Sequence, residues 1–128
     1  MKKLCSFLIC VCLTFLLCSC ERVDINKDMS VSLMFEHGDV CVDTQLSQQE
    51  AETVLSIIDK KVLYRDNPSC SFDEKISFRI DGEIYAPACD DCCIVKECNS
   101  GKYFNISRGD RDIIEDIFSA YGSYFPCV

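Results

Sequence analysis

The chain has 128 residues, with 21 acidic and 13 basic side chains, a formal charge of −8 and 12 cysteines. That length supports one domain with a single modest core, and the acidic balance makes nucleic acid and anionic lipid headgroups poor partners. The sequence contains no Gly-rich phosphate loop, internal repeat or low-complexity tract, so it offers nothing for nucleotide binding or a solenoid.

Lys2 and Lys3 precede an apolar run from Leu4 to Leu17 that only Ser6 and Thr14 interrupt. The run is shorter than the roughly 20 residues that span a bilayer, so it reads as an export signal. It ends in Leu17-Cys18-Ser19-Cys20. This segment resembles the lipobox of bacterial lipoproteins, in which an aliphatic residue stands three places before an obligatory cysteine and a small residue directly precedes it. The resemblance covers the leader alone. It implies cleavage between Ser19 and Cys20, a diacylglycerol on the Cys20 sulfur, and attachment to the cell membrane or outer membrane on the extracytoplasmic side. The competing reading is an ordinary secretory signal cut after Cys18 or Ser19.

Residues 1–19 are thus expected to be a signal peptide, 20–29 a lipidated cysteine and tether, and 30–128 one domain. Loss of residues 1–19 removes Lys2 and Lys3, leaving 11 basic against 21 acidic side chains and a charge near −10. The segment from Glu21 to Asp28 is mostly charged and has no sustained period, which reads as a spacer.

Val31, Leu33 and Phe35 alternate with polar neighbours, and Val40-Cys41-Val42 alternates again after His37-Gly38. A hairpin turn at His37-Gly38 would set Phe35 opposite Val40 and Leu33 opposite Val42, with Cys41 on the other face beside Met34. Ser47 and Glu50 form a capping box ahead of Ala51, Val54, Leu55 and Ile58, so the spacing predicts a helix over Gln48 to Asp59. Val62-Leu63-Tyr64 suits a short connecting or edge strand. Ile76, Phe78 and Ile80 begin a second hairpin, for which a three-residue loop ending at Gly82 would pair Arg79 with Glu83, Phe78 with Ile84 and Ile76 with Ala86. Tyr103 to Ile106 reads as a strand, and Ser107 caps a second helix whose stripe is Ile113, Ile114, Ile117, Phe118 and Tyr121, ended by Gly122. The expected class is α+β, a small antiparallel sheet with two helices on one face, braced by disulfides.

After Cys20, seven cysteines remain: Cys41, Cys70, Cys89, Cys92, Cys93, Cys98 and Cys127. In an exported chain such a density reads as a disulfide framework. A bridge between the adjacent Cys92 and Cys93 would be strained, so each is expected to reach another partner among Cys70, Cys89, Cys98 and Cys127. Cys41 is then the odd thiol. The alternative is a soft-metal site of Cys89, Cys92, Cys93 and Cys98 holding Zn or Cu(I), or a thiol-handling role for the same cluster. Under the framework reading there is no cofactor beyond the covalent lipid.

His37 is the single histidine and would have to be the base for any imidazole-activated nucleophile, yet its place at a hairpin tip needs no chemical purpose. Arg108-Gly109-Asp110 spells the integrin-binding tripeptide but falls where a helix starts, and Asn105-Ile106-Ser107 matches a glycosylation sequon. Asp90-Asp91 and Glu115-Asp116 lack the alternating spacing of a calcium loop and read as solvated surface. No catalytic set emerges. The sequence points to a membrane-anchored binding module (an inhibitor, immunity or envelope-accessory protein) with a basic protein partner.

Overall fold

A computed structural model describes residues 20–126 of the chain; residues 1–19, expected from the sequence to be an export signal, and Cys127 lie outside the described residues. Six strands form one antiparallel sheet: β1 (Val31–His37), β2 (Val40–Gln45), β3 (Ile76–Ile80), β4 (Glu83–Pro87), β5 (Ile94–Glu97) and β6 (Lys102–Asn105), in the spatial order β2-β1-β3-β4-β5-β6. Two helices, α1 (Gln48–Ile58) and α2 (Arg108–Ala120), complete the α+β architecture.

Pairing sets which residues share a face. Leu33 lies opposite Phe78, Phe78 opposite Tyr85, and Val95 opposite Phe104, so these side chains line one surface together with Val31, Phe35, Ile76 and Ile80. The helices cover this surface, since Phe118 of α2 meets Phe78 with ring centroids 5.1 Å apart and Val54, Leu55 and Ile58 of α1 are buried in the same cluster. Burial of a large apolar side chain contributes about 1.5–3 kcal/mol, and this shared cluster is what joins the two layers. The helices run antiparallel. Tyr121 at the end of α2 donates a hydrogen bond to Glu50 in the first turn of α1, and Lys61 just past α1 pairs with Asp110 at the start of α2 at 3.9 Å.

Both helix starts follow from the local sequence. The Ser47 hydroxyl accepts from the Glu50 N–H while the Glu50 carboxylate accepts from the Ser47 N–H, and the Ser107 hydroxyl accepts from the Asp110 N–H. Two hairpin registers differ from the sequence reading. In the first, the loop is Gly38-Asp39 and Val42 faces Phe35, a shift of two residues that leaves the apolar face intact; Cys41 lies opposite Glu36. Gly38 supplies the positive φ of 58° that a tight turn requires at its first loop residue.

In the second hairpin the three-residue loop is replaced by a two-residue turn, with Ile80 opposite Glu83, Arg79 opposite Ile84 and Phe78 opposite Tyr85. Asp81 and Gly82 both have positive φ, 49° and 80°, the pattern of a type I′ turn. The reading from alternation failed because β4 is covered on both faces: Tyr85 and its neighbour Ala86 are both buried. The side of the sheet away from the helices is covered there by the 65–75 segment, whose Phe72 packs on Tyr103.

The charged stretch after Cys20 is no free spacer. Val23 and Ile25 are 4% and 8% exposed, the Val23 N–H donates to the Lys61 carbonyl, and the Leu63 N–H donates to the Glu21 carbonyl. Val62 and Tyr64 make only isolated bridges, to Arg22 and Tyr103, so this segment links the N-terminal stretch to the outer edge of β6. β5 had no counterpart in the sequence reading. Its Ile94-Val95 pair carried the signal, but a reading of the stretch for its cysteines alone passes over it.

Candidate functional site

Two regions gather the side chains singled out in the sequence: the corner formed by the loop from Ala88 to Cys93, and the outer surface of the helices. The corner is built from three directions. Cys70 in the 65–75 segment is disulfide-bonded to Cys92, with a Cα–Cα separation of 6.3 Å. Asp90 accepts from the Ser71 N–H at 3.0 Å through one carboxylate oxygen and from the Cys92 N–H at 3.2 Å through the other, so it fastens the two strands of chain that the disulfide joins. From the sheet, the Ile106 N–H donates to the Cys93 carbonyl.

The third direction is α2. Arg111 is fully buried, and one guanidinium nitrogen donates to the carbonyls of Ala88 and Cys92 while its Nε donates to Glu115 at 2.7 Å. The ring of Phe125 lies 4.4 Å from the guanidinium carbon, a stacked arrangement that suits a planar cation. Nη2 has no hydrogen-bond partner among the described residues. One turn earlier, Arg108 reaches Asp91 at 2.6 Å, and that hydrogen bond raises its pKa above the ordinary value. A buried arginine in a domain this small is costly unless its donors are used, and the carbonyls of a tight, non-repetitive loop need donors that no sheet supplies. Arg111 supplies those donors through Nη1 and uses its Nε on Glu115. The sequence reading missed it because it is charged, although its spacing from Ile114 and Phe118 puts it on the buried face of the helix.

Of the four cysteines named for a metal, Cys92 alone belongs to a close group of possible ligand atoms among the described residues. Cys89 is buried, Cys93 and Cys98 are half-buried thiols, and Cys92 is held in the bridge to Cys70. Burial, with Glu74 nearby, pushes the Cys98 thiol up to about 11, and its sulfur donates to the Lys96 carbonyl at 3.8 Å, so it stays protonated at neutral pH. Among the described residues, the group whose potential ligand atoms lie within 4.8 Å of one another is Cys70, Asp90 and Cys92, and two of those atoms are the bonded sulfurs. Cys41 is an exposed thiol on β2, the outer strand at the other end of the sheet.

His37 sits exposed at the end of β1 with its ring edge-on to Tyr124 at 5.8 Å, and among the described residues no nucleophile is hydrogen-bonded to it. Arg108-Gly109-Asp110 forms the first turn of α2, with Asp110 at its favourable, positive end. Asn105 ends β6 and accepts from the Tyr64 hydroxyl at 2.8 Å.

On the helical surface, Gln49, Glu50 and Thr53 of α1 and Ile113, Asp116, Ile117 and Ala120 of α2 line a shallow groove of about 380 Å³. Ile113 is 40% exposed in it. The hydrogen bond from Tyr121 holds the Glu50 carboxyl below the usual range, so it remains charged well into mild acid. Glu50 and Asp116 are its charged lining residues, and both are acidic. Among the described residues no helix is long and apolar enough to cross a membrane. Comparison with known proteins finds no matching family model, no matching curated protein and no matching solved structure.

Proposed function

We propose that this chain is a small cell-envelope lipoprotein that acts by binding, with the domain as an inhibitor, immunity or envelope-accessory module. The observation that carries the reading is the Leu17-Cys18-Ser19-Cys20 segment, whose last residue is exposed directly ahead of the folded domain. The acidic groove between α1 and α2 supports the second half of the reading: a surface with an exposed isoleucine between carboxylates suits a basic protein partner that offers an apolar side chain. Charge of this kind speeds and orients encounter, so binding should weaken with salt.

Fractionation and capture test the two halves. The full chain is expected in the membrane fraction, and Cys20→Ser in the soluble fraction without incorporated lipid; membrane retention with lipid in that variant would sink the anchor. Capture from envelope extracts should recover a basic protein at low salt, lose it at high salt, and lose it in Asp116→Lys. Recovery indifferent to both would overturn the binding mode. Handling of a soft metal or thiol by Cys89, Cys92, Cys93 and Cys98 is the alternative, and it needs Cys92 released from its bridge to Cys70. Alkylation of unreduced, chelator-treated protein separates the readings: masking of Cys70 and Cys92 supports the framework, and modification of Cys92 supports the alternative.

A further inference from the structure

The N-terminal stretch is bonded to the domain from its second residue onward. The Glu21 carbonyl accepts from the Leu63 N–H at 2.9 Å, the Val23 N–H donates to the Lys61 carbonyl at 2.9 Å, and the Lys60 N–H donates to the Val23 carbonyl at 2.8 Å. Asp59 adds a carboxylate oxygen for the Ile25 N–H at 3.2 Å. The Glu21 carboxylate is paired with Lys102, whose hydrogen bond lowers its pKa. A lipid on Cys20 would therefore be attached to an edge of the domain, with one residue between the modified sulfur and the first hydrogen bond.

We infer that the edge formed by residues 20–25 and 59–65 is a membrane seat, pressed against phospholipid headgroups in one fixed orientation. The inference rests on lipidation of Cys20. Acyl chains in the bilayer place the Cys20 sulfur at the headgroup level, and a chain of one residue cannot lift the neighbouring edge clear of that layer.

The surface of the edge fits this position. Arg22 pairs with Val62 in the ladder, so their side chains lie side by side; Val62 is 44% exposed and Arg22 is exposed. Lys60 and Arg65, also exposed, flank them. Arg22, Lys60 and Arg65 carry no salt bridge among the described residues, while Lys61 and Lys102 are paired with Asp110 and Glu21. Glu21, Asp24 and Asp66 are the exposed acids on or next to the same stretch, against Arg22, Lys60, Lys61 and Arg65, so the edge is close to neutral in a domain that is otherwise strongly acidic. Unpaired cations beside an exposed aliphatic residue can hold headgroup phosphates and dip into the interface. The acidic helical surface is thereby left to solvent and to protein partners.

Footprinting of amines on the full, membrane-extracted chain tests the seat. The protein is reconstituted into vesicles of phosphatidylcholine with a minority of phosphatidylglycerol and treated with a membrane-impermeant acetylating reagent, with the soluble Cys20→Ser protein as reference. Intact mass reports whether Cys20 carries the lipid. Acetylation of Lys60 is expected to fall roughly fivefold on vesicles, with Lys75 and Lys96 unchanged. In Arg22→Glu with Val62→Asp, the shielding of Lys60 is expected to be lost while the lipid mass stays. Absence of the lipid mass overturns the anchor and the seat with it. Lipid mass with Lys60 as reactive as in the soluble protein, or with all lysines equally shielded, overturns the seat alone.

Discussion

The helical layer and the cysteine corner are held by different physics. The helices lie on their sheet through apolar contact: Phe118 is fully buried between Phe78 and Phe125, with ring centroids 5.1 and 5.0 Å away. The corner contributes little apolar area beyond Ala88 and Cys89. It is fixed instead by one disulfide, a carboxylate shared between two backbone N–H groups, and a buried guanidinium on two carbonyls. Hydrophobic contact is non-directional and spread over many residues, so it tolerates local error. Directed bonds are few, and each one locates a particular loop atom.

Three variants test this contrast. Phe118→Ala should have the largest effect, a loss of about 3–5 kcal/mol in denaturant unfolding, because a large buried ring is replaced by a cavity. A cost under about 1 kcal/mol would mean that the helices are not held by this cluster. Replacing Cys70 and Cys92 together by serine should cost about 3 kcal/mol, since the bridge closes a loop with a sequence separation of 22. The helical circular dichroism should be unchanged in the folded variant, whereas coupled loss of helix would show that the corner and the layer form one unit.

Arg111→Met keeps the apolar stem beside Phe125 and removes the donors to Ala88 and Cys92. The expected loss is about 2–3 kcal/mol, because two carbonyls lose charged donors in a buried loop. Glu115 is about one-third exposed and can recover water, which keeps the cost below that of breaking a fully buried pair. A variant as stable as the parent would assign the corner to the disulfide alone.

Local grammar made several elements legible. Ser47 with Glu50 and Ser107 with Asp110 announced both helices, because a cap is a bond between residues three apart and needs no tertiary partner. The alternation of Val31, Leu33 and Phe35 revealed a core-facing strand for the same reason. The β3–β4 register did not follow from alternation, since Tyr85 and Ala86 are both buried and period two reports a face only when the other face is wet. The cysteines told of bracing but not of pairing: Cys70 and Cys92 are 22 residues apart and meet only because the 65–75 segment crosses the sheet.

The N-terminal region shows where the division falls. By itself the sequence determined the two capped helices, the α+β class and an acidic surface, all of which are properties of neighbouring residues or of composition. The tertiary structure alone decided that Glu21 to Ile25 is bonded along residues 59–63, that Arg22 lies beside Val62, and that Arg111 holds the corner. Net charge sums over the chain and has no direction, whereas folding assigns each charge a position. That is why an acidic sequence can present a nearly neutral edge at residues 20–25 and 59–65 while its remaining carboxylates are spread over the strands, loops and helices.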